Sequence, residues 1–387
     1  MKKEIPLSVP NLDIETLENL RECIESGWVS TGGRFIAEFE EKTAKYVGVS
    51  EAVAMQSGTA ALHTALRVLG VQSGDEVIVP TLTFIAAVNP VIYMGASPVF
   101  MDCDDTLCLD AEKLEQFCEE ECDLVEDELR NRRTGNKVAA VIPVHVFGNL
   151  CDMERIMEVA QKYHLKVLED ATEALGSYYK KGRYAGCFAG TIGDMGAYSF
   201  NANKIITTGG GGMLVSNNKK LLNHARYLGV QAKNDTLYFV HDEVGYNYRM
   251  LNLQAALGVS QLDQLETFIK TKIDNYNRYK KRLNQAEGLR ILEFNDESRT
   301  NHWFYSLLVG EETFGESRNQ LMHRLIDEGI QCRPVWKLIH TQRPYLDCQA
   351  YKIEKAVDYA EHILNLPCST NLTEEEVAYV CDRIQMK

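Results

Sequence analysis

Long apolar runs are missing from this chain of 387 residues. No stretch approaches the roughly 20 apolar residues that a membrane span needs, so no transmembrane helix is expected. Behind its two lysines, the N-terminus Met1-Lys2-Lys3-Glu4-Ile5-Pro6 has no long apolar segment either, and no signal peptide is expected. Positive charge is in deficit: 41 Lys and Arg stand against 55 Asp and Glu, a formal net charge of -14. That balance argues against non-specific binding to nucleic acid or anionic membranes. It does not exclude an anionic ligand, because helix N-termini hold phosphate locally. Cysteine pairs at metal-binding spacing are lacking as well. The eleven cysteines are scattered with no Cys-x-x-Cys, and the nearest pairs, Cys103/Cys108 and Cys118/Cys122, have no histidines beside them. They read as reduced thiols of a cytoplasmic protein, with no metal site.

What is present is ordinary for a soluble enzyme: 45% hydrophobic and 25% charged residues. The length suggests two lobes. Between about residues 50 and 215, short apolar runs alternate with helical stretches. The runs are Ala52-Val53-Ala54-Met55, Glu76 to Pro80, Pro98 to Asp102, Val138 to Pro143 and Lys166 to Asp170; the helical stretches are Thr59–Leu69, Ile85–Tyr93, Ala111–Cys118 and Met153–Tyr163. This alternation predicts an α/β fold with a mostly parallel sheet covered on both faces. Ligands on such sheets gather at the carboxyl ends of the strands, where Ser57, Thr83, Asp102, His145 and Asp170 fall. We place a large domain in residues 1–258 and a smaller C-terminal α+β domain in 259–387. The latter opens with a charged helix, Gln261–Gln285, and continues with strands at Trp303–Val309 and Ile330–Arg333 and helices at Ser317–Glu328 and Ala356–Leu364. The charge-rich segment 119–133 reads as a solvated helix or loop excursion.

The most informative run is Tyr198-Ser199-Phe200-Asn201-Ala202-Asn203-Lys204-Ile205-Ile206-Thr207-Thr208-Gly209-Gly210-Gly211-Gly212-Met213. One lysine stands between a hydroxyl residue and four glycines. Upstream, Val167-Leu168-Glu169-Asp170 is a strand ending in a carboxylate. An electrophile-binding lysine with a strand-end carboxylate is the pair that pyridoxal phosphate chemistry requires.

Gln56-Ser57-Gly58-Thr59 joins a strand to a helix, where Gly58 and Thr59 would face an anion with the helix dipole behind them. The alternative is an N-cap and nothing more. Beside the lysine and the aspartate, the phosphate reading prevails. Phe84, after Pro80-Thr81-Leu82-Thr83, suits stacking on a flat ring; from position alone a buried core phenylalanine fits better. The four glycines match neither phosphate-loop pattern, and a tight backbone path into the strand Met213-Leu214-Val215 accounts for them. Gly245-Tyr246-Asn247-Tyr248-Arg249-Met250 sets an asparagine and an arginine between aromatics, or is a packed turn.

Together with Trp28-Val29-Ser30-Thr31-Gly32 and Pro143-Val144-His145, these motifs make the chain resemble, nearly end to end, the DegT/DnrJ/EryC1/StrS family of sugar aminotransferases. These are fold-type I pyridoxal phosphate enzymes. The resemblance implies that Lys204 carries the cofactor covalently and later moves the substrate proton, and that Asp170 pairs with the pyridinium nitrogen. It implies that Phe84 stacks on the ring, that Gly58, Thr59 and Ser199 bind the phosphate, and that Asn247 reaches the cofactor of a neighbouring subunit in a homodimer with shared sites. At Glu173 the family often carries Gln or His near the cofactor's 3-hydroxyl, and an ionised carboxylate cannot donate to that oxygen. Family members that dehydrate sugars carry histidine in place of Lys204, so the lysine favours transamination.

Within the family the chain most resembles the legionaminic acid and bacillosamine type of enzymes, which aminate C4 of UDP-linked 4-keto-6-deoxy-N-acetylhexosamines for surface glycans. The shared features are the run from Asn203 to Gly212 and Cys332-Arg333-Pro334-Val335-Trp336-Lys337 with His340. Arg333, Lys337 and His340 are candidate pyrophosphate or sugar contacts, or a surface turn; Trp28, Ser30 and Arg249 are further substrate candidates. L-Glutamate is the implied donor. The rivals are a pyridoxal phosphate-dependent sugar dehydratase or deaminase and a non-catalytic regulator on the same scaffold.

Overall fold

A computed structural model describes residues 4–235 and 237–386. Seven strands build the large sheet: β1 (Glu51–Met55), β2 (Glu76–Pro80), β3 (Ser97–Met101), β4 (Val138–Val141), β5 (Lys166–Asp170), β6 (Met195–Ser199) and β7 (Gly212–Ser216). Their order is β1-β7-β6-β5-β4-β2-β3, with a two-residue strand, Ala350–Tyr351, added beyond β3. β7 runs antiparallel to β1 and β6; the other pairs are parallel. Continuous apolar strands such as Glu76-Val77-Ile78-Val79-Pro80 are buried along their whole length, as a sheet covered on both faces requires. The carboxyl ends of β1, β2, β4, β5 and β6 therefore meet along one edge, where the candidate site forms.

The second lobe holds an antiparallel sheet in the order Leu289–Ile291, Tyr305–Val309, Ile363–Leu366, Arg333–Pro334. It packs against the helix Leu265–Leu283, on which the helix Glu374–Gln385 lies. Its ties to the large sheet are direct, since Ala350–Tyr351 pairs with β3 and Ile5 of the N-terminal arm bridges Ile330. The helix Asn252–Asp263 runs unbroken through Gly258. At Gly258 a Cβ would lie 2.6 Å from the Phe39 ring, so the small residue serves helix packing rather than a chain break. Among the described residues no helix is long and apolar enough to cross a membrane.

Three local expectations differ. Segment 119–133 is mostly a hairpin: its first three residues end the helix Ala111–Glu121, and Cys122–Val125 then pairs with Glu128–Asn131. Its turn places Glu126 and Asp127 at φ 48° and 65°. Cys122 and Leu129 face the core, so the charged neighbours hid a short period-two pattern. The helix expected at Gln261–Gln285 is split at Gln264, with Leu265–Leu283 the charged part. The helix expected to reach Leu364 ends at His362, because Ile363–Leu366 is a central strand of the small sheet.

Asp102, at the end of β3, does not face the site. Its carboxylate accepts from Lys113 Nζ (2.7 Å) and from the backbone N–H groups of Glu354, Lys355 and Ala356 (2.9, 3.0 and 2.8 Å). Burial alone would raise its pKa, yet Lys113 and these donors hold it below its ordinary value. It joins the two lobes at the first turn of the helix Lys355–His362. Asp102→Ala leaves the three backbone N–H donors without their acceptor, while Lys113 keeps Glu354 at 2.6 Å, and should destabilise the protein by about 3 kcal/mol in urea unfolding. A loss below about 1 kcal/mol would contradict this role.

Candidate functional site

The sheet edge and the small lobe enclose a cavity of about 650 Å³. At its base lies the N-terminus of the helix Gly58–Val68. Ser57 caps this helix by accepting from the Ala60 N–H at 3.0 Å, so the N-cap reading is correct, and Gly58 and Thr59 nevertheless line the cavity. A Cβ on Gly58 would sit 2.9 Å from Ser199 Cβ. Only glycine lets the β6 hydroxyl approach the helix end, and together they form a cradle of N–H and O–H donors suited to a phosphate. The glycine run follows the expected path. Gly211 (φ 102°) turns the chain into β7, and a Cβ on Gly212 would lie 2.5 Å from the Ser57 carbonyl oxygen.

Lys204, Asp170 and Glu173 meet at the wall. Lys204 Nζ lies 3.8 Å from Glu173 Oε1 and 3.9 Å from the centroid of the Trp303 ring. Burial pushes the lysine pKa down, against the pull of Glu173 and Asp170. Asp170 Oδ1 accepts from the Thr172 N–H at 3.0 Å, and burial raises its pKa. Burial likewise raises Glu173 to about 7, against the Lys204 charge and a hydrogen bond from the Phe147 N–H to its Oε2 at 2.8 Å. Phe147 adopts φ 55° to make that contact, a conformation costly for a non-glycine residue.

Phe84 is 53% exposed and lines the cavity, so its position-based reading as a core residue is incorrect. Arg333 and Lys337 stand at the same cavity, exposed and without a carboxylate partner among the described residues. The remaining candidates lie elsewhere in this chain. His340 Nδ1 pairs with the Thr81 hydroxyl at 2.6 Å. Arg249 is bound to Glu40 (2.5 Å), which also holds Arg226 and the Ala54 N–H. Trp28 is 62% exposed and packs on Gly32, while Ser30 offers its carbonyl to the Asn252 N–H. Asn247 is exposed, beside Val230. His145, despite its strand-end position, is buried against Glu169 at 3.0 Å.

The sequence motifs did not disclose the aromatic wall. Phe147 and Trp336 lie 4.8 Å apart, and Trp303 and Phe304 4.4 Å apart; all four line the cavity. The segment Asn301-His302-Trp303-Phe304, with a tryptophan beside a phenylalanine, was the signal available.

The residues fit pyridoxal phosphate: a donor cradle that a Cβ would fill, a buried carboxylate, an exposed aromatic face and a desolvated amine converge on one cavity. A folded pKa near 7 for Glu173, above its ordinary 4.5, means that the folded state binds the extra proton between these values. Its contribution to stability is therefore present at acid pH and lost as pH rises from 4.5 to about 7. Glu173→Gln should flatten this dependence in the apoprotein, a difference on the order of 2 kcal/mol between pH 5 and 8. Urea midpoints for both proteins at several pH values would show it, and parallel profiles would refute it.

Comparison with known proteins agrees with this geometry. The sequence pattern of the DegT/DnrJ/EryC1/StrS aminotransferase family matches residues 10–385. The chain is 38% identical over 386 residues to the GDP-perosamine synthase of Escherichia coli O157:H7, covering 99% of this chain and 98% of that one. Among solved structures it is similar to Spr1654 from Streptococcus pneumoniae in its PLP form, with a TM-score of 0.87 and 26% identity over 99% of this chain and 98% of that chain. It is equally similar to DesI in the presence of its TDP-sugar product, with a TM-score of 0.87 and 26% identity over 100% and 93% of the two chains.

Proposed function

The chain belongs to the DegT/DnrJ/EryC1/StrS family of pyridoxal phosphate-dependent sugar aminotransferases, and on that premise we propose that it transfers an amino group from L-glutamate to C4 of a nucleotide-linked keto-deoxy sugar. When bound, the cofactor supplies the carbonyl that takes up the donor's amine and the ring that delocalises the electrons of the broken C–H bond. The protein's own residues do the rest. Gly58, Thr59 and Ser199 would hold the phosphate, Phe84 would cover the ring, and the Asp170 carboxylate would keep a proton on the ring nitrogen. Lys204 binds the aldehyde. Its freed amine would take the proton from the donor's α-carbon and deliver it to the carbon of the former aldehyde, a task helped by a pKa below the ordinary lysine value.

One observation carries the acceptor class. The cavity is lined by two groups suited to anions: the donor cradle at the helix N-terminus, and Arg333 and Lys337, which have no carboxylate partner among the described residues. The first suits the cofactor's phosphate and the second the diphosphate of a sugar nucleotide. The aromatic wall lining the same cavity suits a deoxy sugar, with its apolar methyl group. For the nucleotide, the motif resemblance around Lys204 and Arg333 favours UDP-4-keto-6-deoxy-N-acetylhexosamine. The 38% identity to a GDP-perosamine synthase favours a GDP-linked sugar as the second reading. Asn247, exposed and outside its own cavity, is proposed to enter the site of a second subunit.

Adding L-glutamate to the loaded protein should bleach the visible band of the bound aldehyde cofactor. Subsequent addition of UDP-, dTDP- and GDP-linked 4-keto sugars should restore it with one of the three. Lys204→Ala should keep the fold and lose turnover by more than about 10³-fold, as expected when a covalent and acid–base group is removed. A band unmoved by any amino acid, or a sugar product that loses oxygen and gains no amine, would refute transamination.

A further inference from the structure

Beneath the site lies a second lysine that the chemistry above does not use. Lys272, on the helix Leu265–Leu283, is 2% exposed, and among the described residues no carboxylate pairs with it. Its ammonium donates instead to the carbonyl oxygens of Trp303 (2.8 Å) and Cys368. Leaving such a cation in the interior without a counter-ion is costly, and burial pushes its pKa down.

Each contact leads to Lys204. The Trp303 ring lies under the Lys204 amine, and its Nε1–H donates to the Asn203 carbonyl at 2.7 Å, one residue before that lysine. The Cys368 N–H donates to the carbonyl of Leu7, which lines the cavity. Ser8, next in the N-terminal arm, donates to the same Asn203 carbonyl at 3.2 Å. Both lysines also border one void of about 10 Å³, about the least that holds a single water.

We infer that Lys272 is a positioning residue: its buried ammonium pins Trp303 and the N-terminal arm under Lys204, and so keeps the Lys204 amine dry and neutral enough to react. The inference rests on the reading of Lys204 as the reactive lysine, but its test does not need the acceptor sugar or turnover.

In the apoprotein, competitive acetylation with acetic anhydride across pH, followed by peptide mass mapping, gives the titration midpoint of each lysine. In Lys272→Met the Lys204 midpoint should rise by about one pH unit, a tenfold loss of neutral amine at a given pH. Lys272→Arg, which keeps the donors and the charge, should restore most of the shift. An unchanged Lys204 midpoint in a natively folded Lys272→Met would overturn the inference, since a merely structural role lowers stability without moving that midpoint. The wild-type protein gives an independent check should the variant not fold. Lys272 itself should stay unlabelled until denaturant is added, and labelling at the rate of surface lysines would equally overturn it. Failure of the wild-type protein to bind pyridoxal phosphate would instead strike the functional reading and leave this result standing.

Discussion

Keeping one amine and two carboxyls out of water, within reach of one another, is the constraint on which the site depends. Asp170 and Glu173 are buried and Lys204 is largely enclosed, and desolvation acts on them in opposite directions: the lysine falls and the acids rise. Their proton affinities are thereby drawn toward one another, with Glu173 at about 7. On an exposed surface the same three residues would form a permanently charged cluster with little reactivity. The enclosing lobe, the aromatic wall and the buried supports all serve that dryness.

Sheet topology brings the three together. Parallel strands deliver the ends of β1, β5 and β6 to one edge, so a helix N-terminus, a carboxylate and a hydroxyl arrive from three separate stretches of chain. β7 runs the other way, which lets the glycine run leave the Lys204 loop and re-enter the sheet beside Ser57. The second carboxyl needs a further device. Glu173 is anchored by the N–H of Phe147, which is directed inward only because that residue takes a left-handed conformation. The same turn projects the Phe147 ring toward Trp336. One strained residue thus orients an acid with its backbone and a wall with its side chain.

These physical links decide what could be read from the sequence. Lys204, Asp170, Gly58, Thr59 and Ser199 were legible because each belongs to a short strand-end motif, and the parallel sheet converts such motifs into neighbours. The aromatic wall was not legible. Trp303 and Trp336 come from the second lobe, and nothing local to Trp303 records that it faces a lysine about a hundred residues upstream. Arg249 and His340 show the opposite failure. Both look functional by type and by motif, but Glu40 and Thr81 already occupy them within the chain. The hairpin at 122–131 was obscured because its solvent face is crowded with charge, and only Cys122 and Leu129 keep the alternation visible. Lys272 had no signature at all, since a charged residue in a charged helix is ordinarily solvated.

A chain with net charge -14 must still accept a cofactor phosphate and, on the reading developed above, a diphosphate. Distance and dielectric reconcile the two. Exposed carboxylates farther away than a Debye length, about 8 Å at physiological ionic strength, contribute little at the cavity. Many of the surface acids are also matched by neighbours, as in Lys162 with Glu115 and Glu119, or Arg34 with Glu22 and Glu38. Inside the cavity the field is set instead by the helix end at Gly58 and by Arg333 and Lys337, against two acids whose burial favours their neutral forms. The net charge therefore governs what the surface repels, while a few partially enclosed dipoles and cations govern what the site admits. That separation explains why composition can argue against non-specific nucleic-acid binding without excluding a nucleotide as a substrate.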